Sequence, residues 1–234
     1  VHQELGGKSP SIILDDALFV ASAQTSVNEV MSNSGQSCNA PTRVLVPMHR
    51  MNEAMVIAKE TAEAITVGDP HSGAKLGPVV SQTQWNKIQS LIQKGIDEGA
   101  VLAIGGTGKP VGLDKGYYVK PTVFGRVTNQ MTIAREEIFG PVLTMIGYET
   151  IDEAIDIAND TEYGLAAYIF GADEEKVRQI ARRLRAGQVF LNDPALDLMA
   201  PFGGYKHSGN GREWGDHAFA EFLETKAVIG YSSP

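Results

Sequence analysis

Cysteine occurs once in 234 residues, at Cys38, so no internal disulfide can form. A reducing, intracellular setting, cytoplasmic in the simplest case, is expected. No uninterrupted apolar run approaches the ~20 residues that a membrane span needs. The first residues, VHQELGGKSP, lack the charged start and apolar stretch of a secretory signal. Neither membrane insertion nor export is expected. Positive charge is scarce: 20 Lys and Arg against 28 Asp and Glu leave a net charge of −8, which repels a phosphate backbone. Nucleic acid is therefore not an expected partner, and the densest basic run, Arg178, Arg182, Arg183 and Arg185, reads as the solvated face of a helix. The five histidines, His2, His49, His71, His207 and His217, show no i,i+4 pair and no metal-ligand spacing, so no zinc site is expected. The chain opens on Val1 rather than Met, which suggests a piece of something longer.

What is present is an alternation. Apolar and β-branched runs at 11–14 (SIIL), 43–46 (RVLV), 101–104 (VLAI), 142–148 (VLTMIGY), 165–170 (LAAYIF) and 188–192 (QVFLN) predict strands. Helical periodicity falls between several of them. Val20, Ala23, Val27, Val30 and Met31 follow an Asp15-Asp16 start and stop at Ser34-Gly35. Trp85, Ile88, Leu91, Ile92 and Ile96 form a second stripe, and Asp152 to Asn159 and Asp173 to Ala186 two more. Strands alternating with helices predict an α/β fold with a mostly parallel open sheet flanked by helices, in which ligands gather in loops at the carboxyl ends of strands. No repeat, linker or composition shift marks a boundary, so residues 1–234 are expected to form one domain. The Gly- and Pro-rich stretch from Asn192 to Gly211 predicts a long functional loop.

Two phosphate-loop echoes fail. GGTGKP at 105–110 has Ala103 where a P-loop needs Gly and Pro110 where it needs Ser or Thr, and GNGRE at 209–213 lacks the dinucleotide spacing. The cysteine is a better candidate. A lone Cys is commonly inert core, but Ser34, Gly35, Gln36, Ser37 and Asn39 around Cys38 are small and polar, on a turn between a helix stop and a strand. Such a thiol is expected to meet solvent and backbone N–H groups, which favour the thiolate. Glu4, followed by Gly6-Gly7, offers a carboxylate that activates water beside a closely approaching backbone, or else a solvated acid at a strand start.

Four blocks, ELGGKSP at 4–10, GQSC at 35–38, EEIFGPV at 136–142 and PFGGYKHSGNGRE at 201–213, together resemble the signature segments of the NAD(P)-dependent aldehyde dehydrogenases, in that family's order. The resemblance covers essentially the whole chain. It implies an aldehyde dehydrogenase catalytic-domain fold, a small-molecule aldehyde substrate and NAD or NADP as cofactor. It further implies Cys38 as the nucleophile that forms a thiohemiacetal and then a thioester, and Glu4 as the base that activates the hydrolytic water. Glu137 matches the carboxylate that holds the nicotinamide ribose, with Glu136 as the alternative register, and Phe139 the aromatic beside it. Phe202 matches the lining of the aldehyde entrance, and Ser37 and Asn39 flank the thiol there. In the family the Gly-rich cofactor turn and the asparagine of the oxyanion site precede the stretch matched here, so the 234 residues alone are expected to be poorly active. A homo-oligomer is implied too, with 225–234 as an edge strand. Two rivals remain: a cofactor-independent thiol esterase or thioesterase, and a non-catalytic interaction domain.

Overall fold

The computed structural model describes residues 1–230. In chain order the elements are β1 (Gln3–Glu4), β2 (Pro10–Ile13), α1 (Phe19–Met31), β3 (Arg43–Pro47), α2 (Met51–Glu63), α3 (Gln82–Asp97), β4 (Val101–Ile104), β5 (Thr122–Gly125), α4 (Thr132–Arg135), β6 (Val142–Tyr148), α5 (Ile151–Asn159), β7 (Ala166–Phe170), α6 (Glu174–Ala181), β8 (Gln188–Leu191) and β9 (Gly209–Asn210). Seven strands form one sheet in the order β4-β5-β6-β3-β2-β7-β8, parallel throughout except for the antiparallel edge strand β4. This is the mostly parallel α/β architecture that the alternation of elements predicts.

The central strands are apolar at consecutive positions because both faces are covered. Successive side chains alternate between faces: Ile12 and Leu45 enter one apolar cluster with Ile88 and Ile92 of α3, Ile155 of α5 and Val177 and Ile180 of α6. Ile13, Val44 and Val46 enter the other with Phe19, Val27 and Val30 of α1 and Ala54, Ala58 and Ala62 of α2. The buried stripe of α2 is chiefly alanine, which gives little hydrophobic contrast, and periodicity alone does not single that helix out. Strand β5 is four residues long and equally weak as a pattern. The 173–186 helix is shorter than its periodicity suggests: α6 ends at Ala181 and the chain turns through Arg182–Leu184.

Strands β2 and β3 point their N-terminal ends, Pro10 and Arg43, toward the segments that carry Glu4 and Cys38, so these segments gather at the amino ends of the strands and not at the carboxyl ends that the α/β pattern predicts. A two-stranded ladder, β1 with β9, ties Glu4 to Gly209 of the long Gly-rich loop. Residues 225–230 form no strand and are exposed, and the remainder of the 225–234 segment lies outside the described residues. No helix among the described residues is long and apolar enough to cross a membrane.

Candidate active site

Three segments converge because glycines let their backbones touch. Helix α1 ends in a left-handed turn, with Asn33 at φ 50°, Ser34 at φ 56° and Gly35 at φ 71°. A Cβ on Gly35 would lie 2.0 Å from the Gly140 carbonyl, so only glycine allows the 35–38 turn to rest on the 137–141 loop. A Cβ on Gly7 would lie 2.3 Å from the Cys38 carbonyl oxygen, which sets the Glu4–Gly7 segment against the cysteine in the same way.

Hydrogen bonds fix the remaining freedom. The Gly7 N–H donates to Glu137 Oε1 at 2.9 Å. Gln84, in the first turn of α3, donates from Nε2 to the carbonyls of Ile138 and Phe139, both at 2.9 Å, and holds Phe139 at φ 56°. That conformation is uncommon for a bulky residue and persists only where the surroundings impose it. Ser208, fully buried, donates from Oγ to the Gly6 carbonyl at 2.7 Å and accepts from the Gly164 N–H at 3.0 Å, while Leu5 N–H donates to the Ser208 carbonyl. The Gly-rich loop is thus a clamp on the Glu4 segment.

The result is an open cleft of about 320 Å³ lined by Glu4, Cys38, Glu137, Phe139, Gln84 and Lys87. Of the two neighbouring acids, Glu137 faces the cleft and Glu136 is exposed outside it. Gln84 and Lys87 are not singled out by sequence reasoning: they sit one helical turn apart on α3, and the only signal for them is the polar face of that helix beside Trp85. Ser37 and Asn39 flank the thiol but are not among the lining residues; their carbonyls accept from the Ala40 N–H and the Tyr168 hydroxyl. Phe202 does not line this cleft either. It is 8 % exposed, its ring stacks on Trp214 at 4.7 Å, and its backbone pairs with Glu213. Among the described residues no group of three or more His, Cys, Asp or Glu could hold a metal ion.

The electrostatics correct one expectation. Burial pushes the Cys38 thiol up to about 12, and the charge and hydrogen bonding of Glu4 push in the same direction, against a smaller pull from the Asn39 and Cys38 backbone N–H groups. Small polar neighbours in sequence do not make a thiolate when the fold covers the turn and sets a carboxylate beside it. Cys38 therefore rests as a thiol. Glu4 is itself raised, first by burial and then by Glu213 and Glu137, while the Cys38 hydrogen bond and His2 oppose the rise. Its Oε1 is buried with no hydrogen-bond partner. An acid held above its ordinary range next to a protonated thiol is equipped to take that proton once a reaction supplies the driving force.

Comparison with known proteins gives one consistent result. Residues 1–228 match the aldehyde dehydrogenase family. The chain is 53 % identical over 232 residues to a 3-succinoylsemialdehyde-pyridine dehydrogenase of a Pseudomonas species, covering 99 % of this chain and 49 % of that protein. It superposes with a TM-score of 0.97 and 53 % identity on a cysteine-to-alanine variant of aldehyde dehydrogenase C from Pseudomonas syringae, solved with NAD+ and octanal; 100 % of this chain and 48 % of that one are covered. An aldehyde dehydrogenase of Mycobacterium tuberculosis, solved with NAD+, matches with a TM-score of 0.92 and 44 % identity over 98 % of this chain and 48 % of that one. The chain spans about half the length of the relatives it matches. By sequence match, fold and coverage of residues 1–228, the chain belongs to the aldehyde dehydrogenase family.

Proposed function

We propose that residues 1–234 act as one catalytic unit for the NAD(P)-dependent oxidation of an aldehyde to a carboxylic acid, with Cys38 as nucleophile and Glu4 as base. The observation that carries this reading is the meeting of Cys38, Glu4, Glu137 and Phe139 in one cleft. The Cys38 sulfur, giving its proton to Glu4, adds to the aldehyde carbonyl and forms a thiohemiacetal. NAD(P)+, when bound, supplies the hydride acceptor that converts this adduct to a thioester. Once the Cys38 proton has passed from Glu4 to solvent through the open cleft, the freed carboxylate takes a proton from water, which attacks the thioester; the acid leaves, and the departing Cys38 sulfur takes that proton back from Glu4. One residue serves both proton transfers because its raised acidity range suits it to accept and return a proton.

The cleft suits the nicotinamide end of such a cofactor. Glu137 offers carboxylate oxygens to ribose hydroxyls, Gln84 and Lys87 line the same wall, and the Phe139 ring is held at the rim by its constrained backbone. The relatives solved with NAD+ favour NAD, and the one solved with octanal favours an aliphatic aldehyde. The same reading assigns Ser37, Asn39 and Phe202 to the aldehyde side, supported by the position of Ser37 and Asn39 on either side of the thiol. With relatives twice as long, the 234 residues alone are expected to reduce NAD+ weakly. Self-association through the C-terminal segment is part of the same reading, supported by the exposure of Phe222, Leu223, Val228 and Ile229. A cytoplasmic location, supported by the single free cysteine, completes it.

The test is acylation. An aliphatic p-nitrophenyl ester should leave its acyl group on Cys38, read by intact mass, and the adduct should clear in the native chain but persist in Glu4→Gln. A folded Cys38→Ser variant that acylates normally would overturn the assignment. Fast, sustained ester turnover with no response to NAD+ and no oxidation of octanal would favour the esterase reading.

A further inference from the structure

Two cations are buried side by side beneath the site, and only one has partners. Arg43 is 0 % exposed and donates to the Lys8 carbonyl, Asn129 Oδ1 and the carbonyls of Ile157 and Ala158. Lys8 is 1 % exposed, and its Nζ has no hydrogen-bond partner. The cavity beside it measures about 10 Å³, room for one water at most, so solvent cannot hydrate the amine as bulk water would. A buried polar group with no partner calls for an explanation beyond packing.

Its surroundings supply one. The charged groups that act on Lys8 are Arg43 on β3 and Lys87 on α3, which repel it, and Glu137 on the facing loop, which attracts it. Glu137 lies against the peptide just before Lys8: Oε1 accepts the Gly7 N–H, and a Cβ on Gly6 would come within 2.5 Å of Oε2. On its other side that peptide touches the Cys38 carbonyl. Whatever draws Glu137 onto Gly6-Gly7 therefore also fixes Glu4 and Cys38 relative to each other.

We propose that Lys8 is a positioning residue: its buried amine, when charged, draws the Glu137 carboxylate onto the Gly6-Gly7 peptide and sets the register of Glu4 and Cys38, and when neutral it frees that carboxylate to turn toward the cleft. Burial first, and Arg43 next, bring the Lys8 amine down to about 7, so both states are populated near neutrality. The inference rests on Cys38 as the reactive group, and none of its tests uses an aldehyde or NAD, so its failure and that of the dehydrogenase reading are separable.

Two measurements decide it. In the native chain with 13C-labelled lysine, one ε-methylene resonance should titrate near pH 7 and vanish in Lys8→Met; a chain in which every lysine titrates above about pH 9, as free lysine does, overturns the proposal. Second, Cys38 alkylation followed by intact mass should rise with pH as the thiol ionises and carry an added inflection at the lysine midpoint. That inflection should be lost in Lys8→Met and in Glu137→Gln, each verified as folded by circular dichroism. An inflection that survives in either folded variant, or a native profile without one, overturns the proposal. Glu137→Gln keeps the test decisive where Lys8→Met fails to fold, because it leaves the buried amine in place and removes only the group on which that amine acts.

Discussion

The sheet interior and the loop rim above its β2 and β3 ends are built by opposite rules. Inside, every strand from β5 to β7 is fully or almost fully buried and chiefly apolar, the buried Thr122 and Thr144 hydroxyls donate to backbone carbonyls, and the one buried guanidinium, Arg43, has four named acceptors. At the rim, Glu4 Oε1, Lys8 Nζ, Ser9 Oγ and Thr42 Oγ1 are buried without partners, and Ser34, Phe139 and Lys206 hold positive φ. Away from the rim, Gln89 Nε2 on α3 and Gln188 Oε1 on β8 are also unpaired, but the central strands are satisfied and the rim carries most of the tension. Unpaired polar groups and imposed backbone conformations cost stability, and they collect where chemistry needs groups that are not already neutralised.

The sharpest break of this contrast is Arg43→Met. Four acceptors lose their donor in the interior, and stability should fall by about 3–5 kcal/mol, read by denaturant unfolding. If the cost is instead close to that of an average surface substitution, the interior is no better satisfied than the rim.

Next is the pH dependence of stability that Lys8 imposes. Its amine titrates near 7 when folded and near 10.5 as a free lysine, so between these values the unfolded chain binds the proton and the folded chain does not. Stability should therefore rise with pH from about 7 upward, by at most about 1.4 kcal/mol per pH unit. Cys38 acts oppositely above its ordinary value of 9.0, because the folded chain then keeps a proton that the unfolded chain has lost. The rise should accordingly be clearest between pH 7 and about 8.5, and Lys8→Met should flatten it.

A smaller effect separates two glycines that share a backbone conformation. Gly35 (φ 71°) faces the Gly140 carbonyl, whereas Gly73 (φ 81°) has nothing within 4 Å of a Cβ. Gly73→Ala should cost only the left-handed penalty of about 1–2 kcal/mol. Gly35→Ala should cost about 1–3 kcal/mol beyond that, because the rim must open, and should alter Cys38 alkylation, which Gly73→Ala should not. Equal effects on alkylation would mean that the contact with Gly140 does not position the cysteine.

The same contrast explains what was legible in the sequence. Strands such as β6 and β7 coincide with apolar runs because strands buried on both faces need nothing else. Helix α2 escaped because its buried face is built from alanine. At the rim, motif blocks point to Glu4, Cys38, Glu137 and Phe139, but their state does not follow from neighbours in sequence. The polar residues around Cys38 suggested an accessible thiolate, whereas the fold covers the turn and brings the Glu4 carboxylate beside it. Lys8 reads as an ordinary surface lysine until the fold closes over it, and Ser208, the hub of the clamp, is one small residue within a glycine-rich string.

Glu4→Gln tests the rim at its mildest. The substitution preserves shape and removes a negative charge next to Cys38, so the thiol ionises more easily and alkylation near neutrality should accelerate. Burial, the larger cause of the elevated thiol value, stays in place, so the gain should be of order tenfold or less, and the profile should still rise without a plateau through pH 9, the thiol's ordinary value. If Glu4 is the proposed base, hydrolysis of a Cys38 thioester should slow in the same variant, because the carboxyl that would accept the proton from water is gone. In a variant that circular dichroism shows to be folded, opposite signs for these two steps distinguish a base from a merely structural acid: a loosened rim would speed both, whereas an unfolded chain, which exposes the thiol and loses hydrolysis, is excluded by the spectrum.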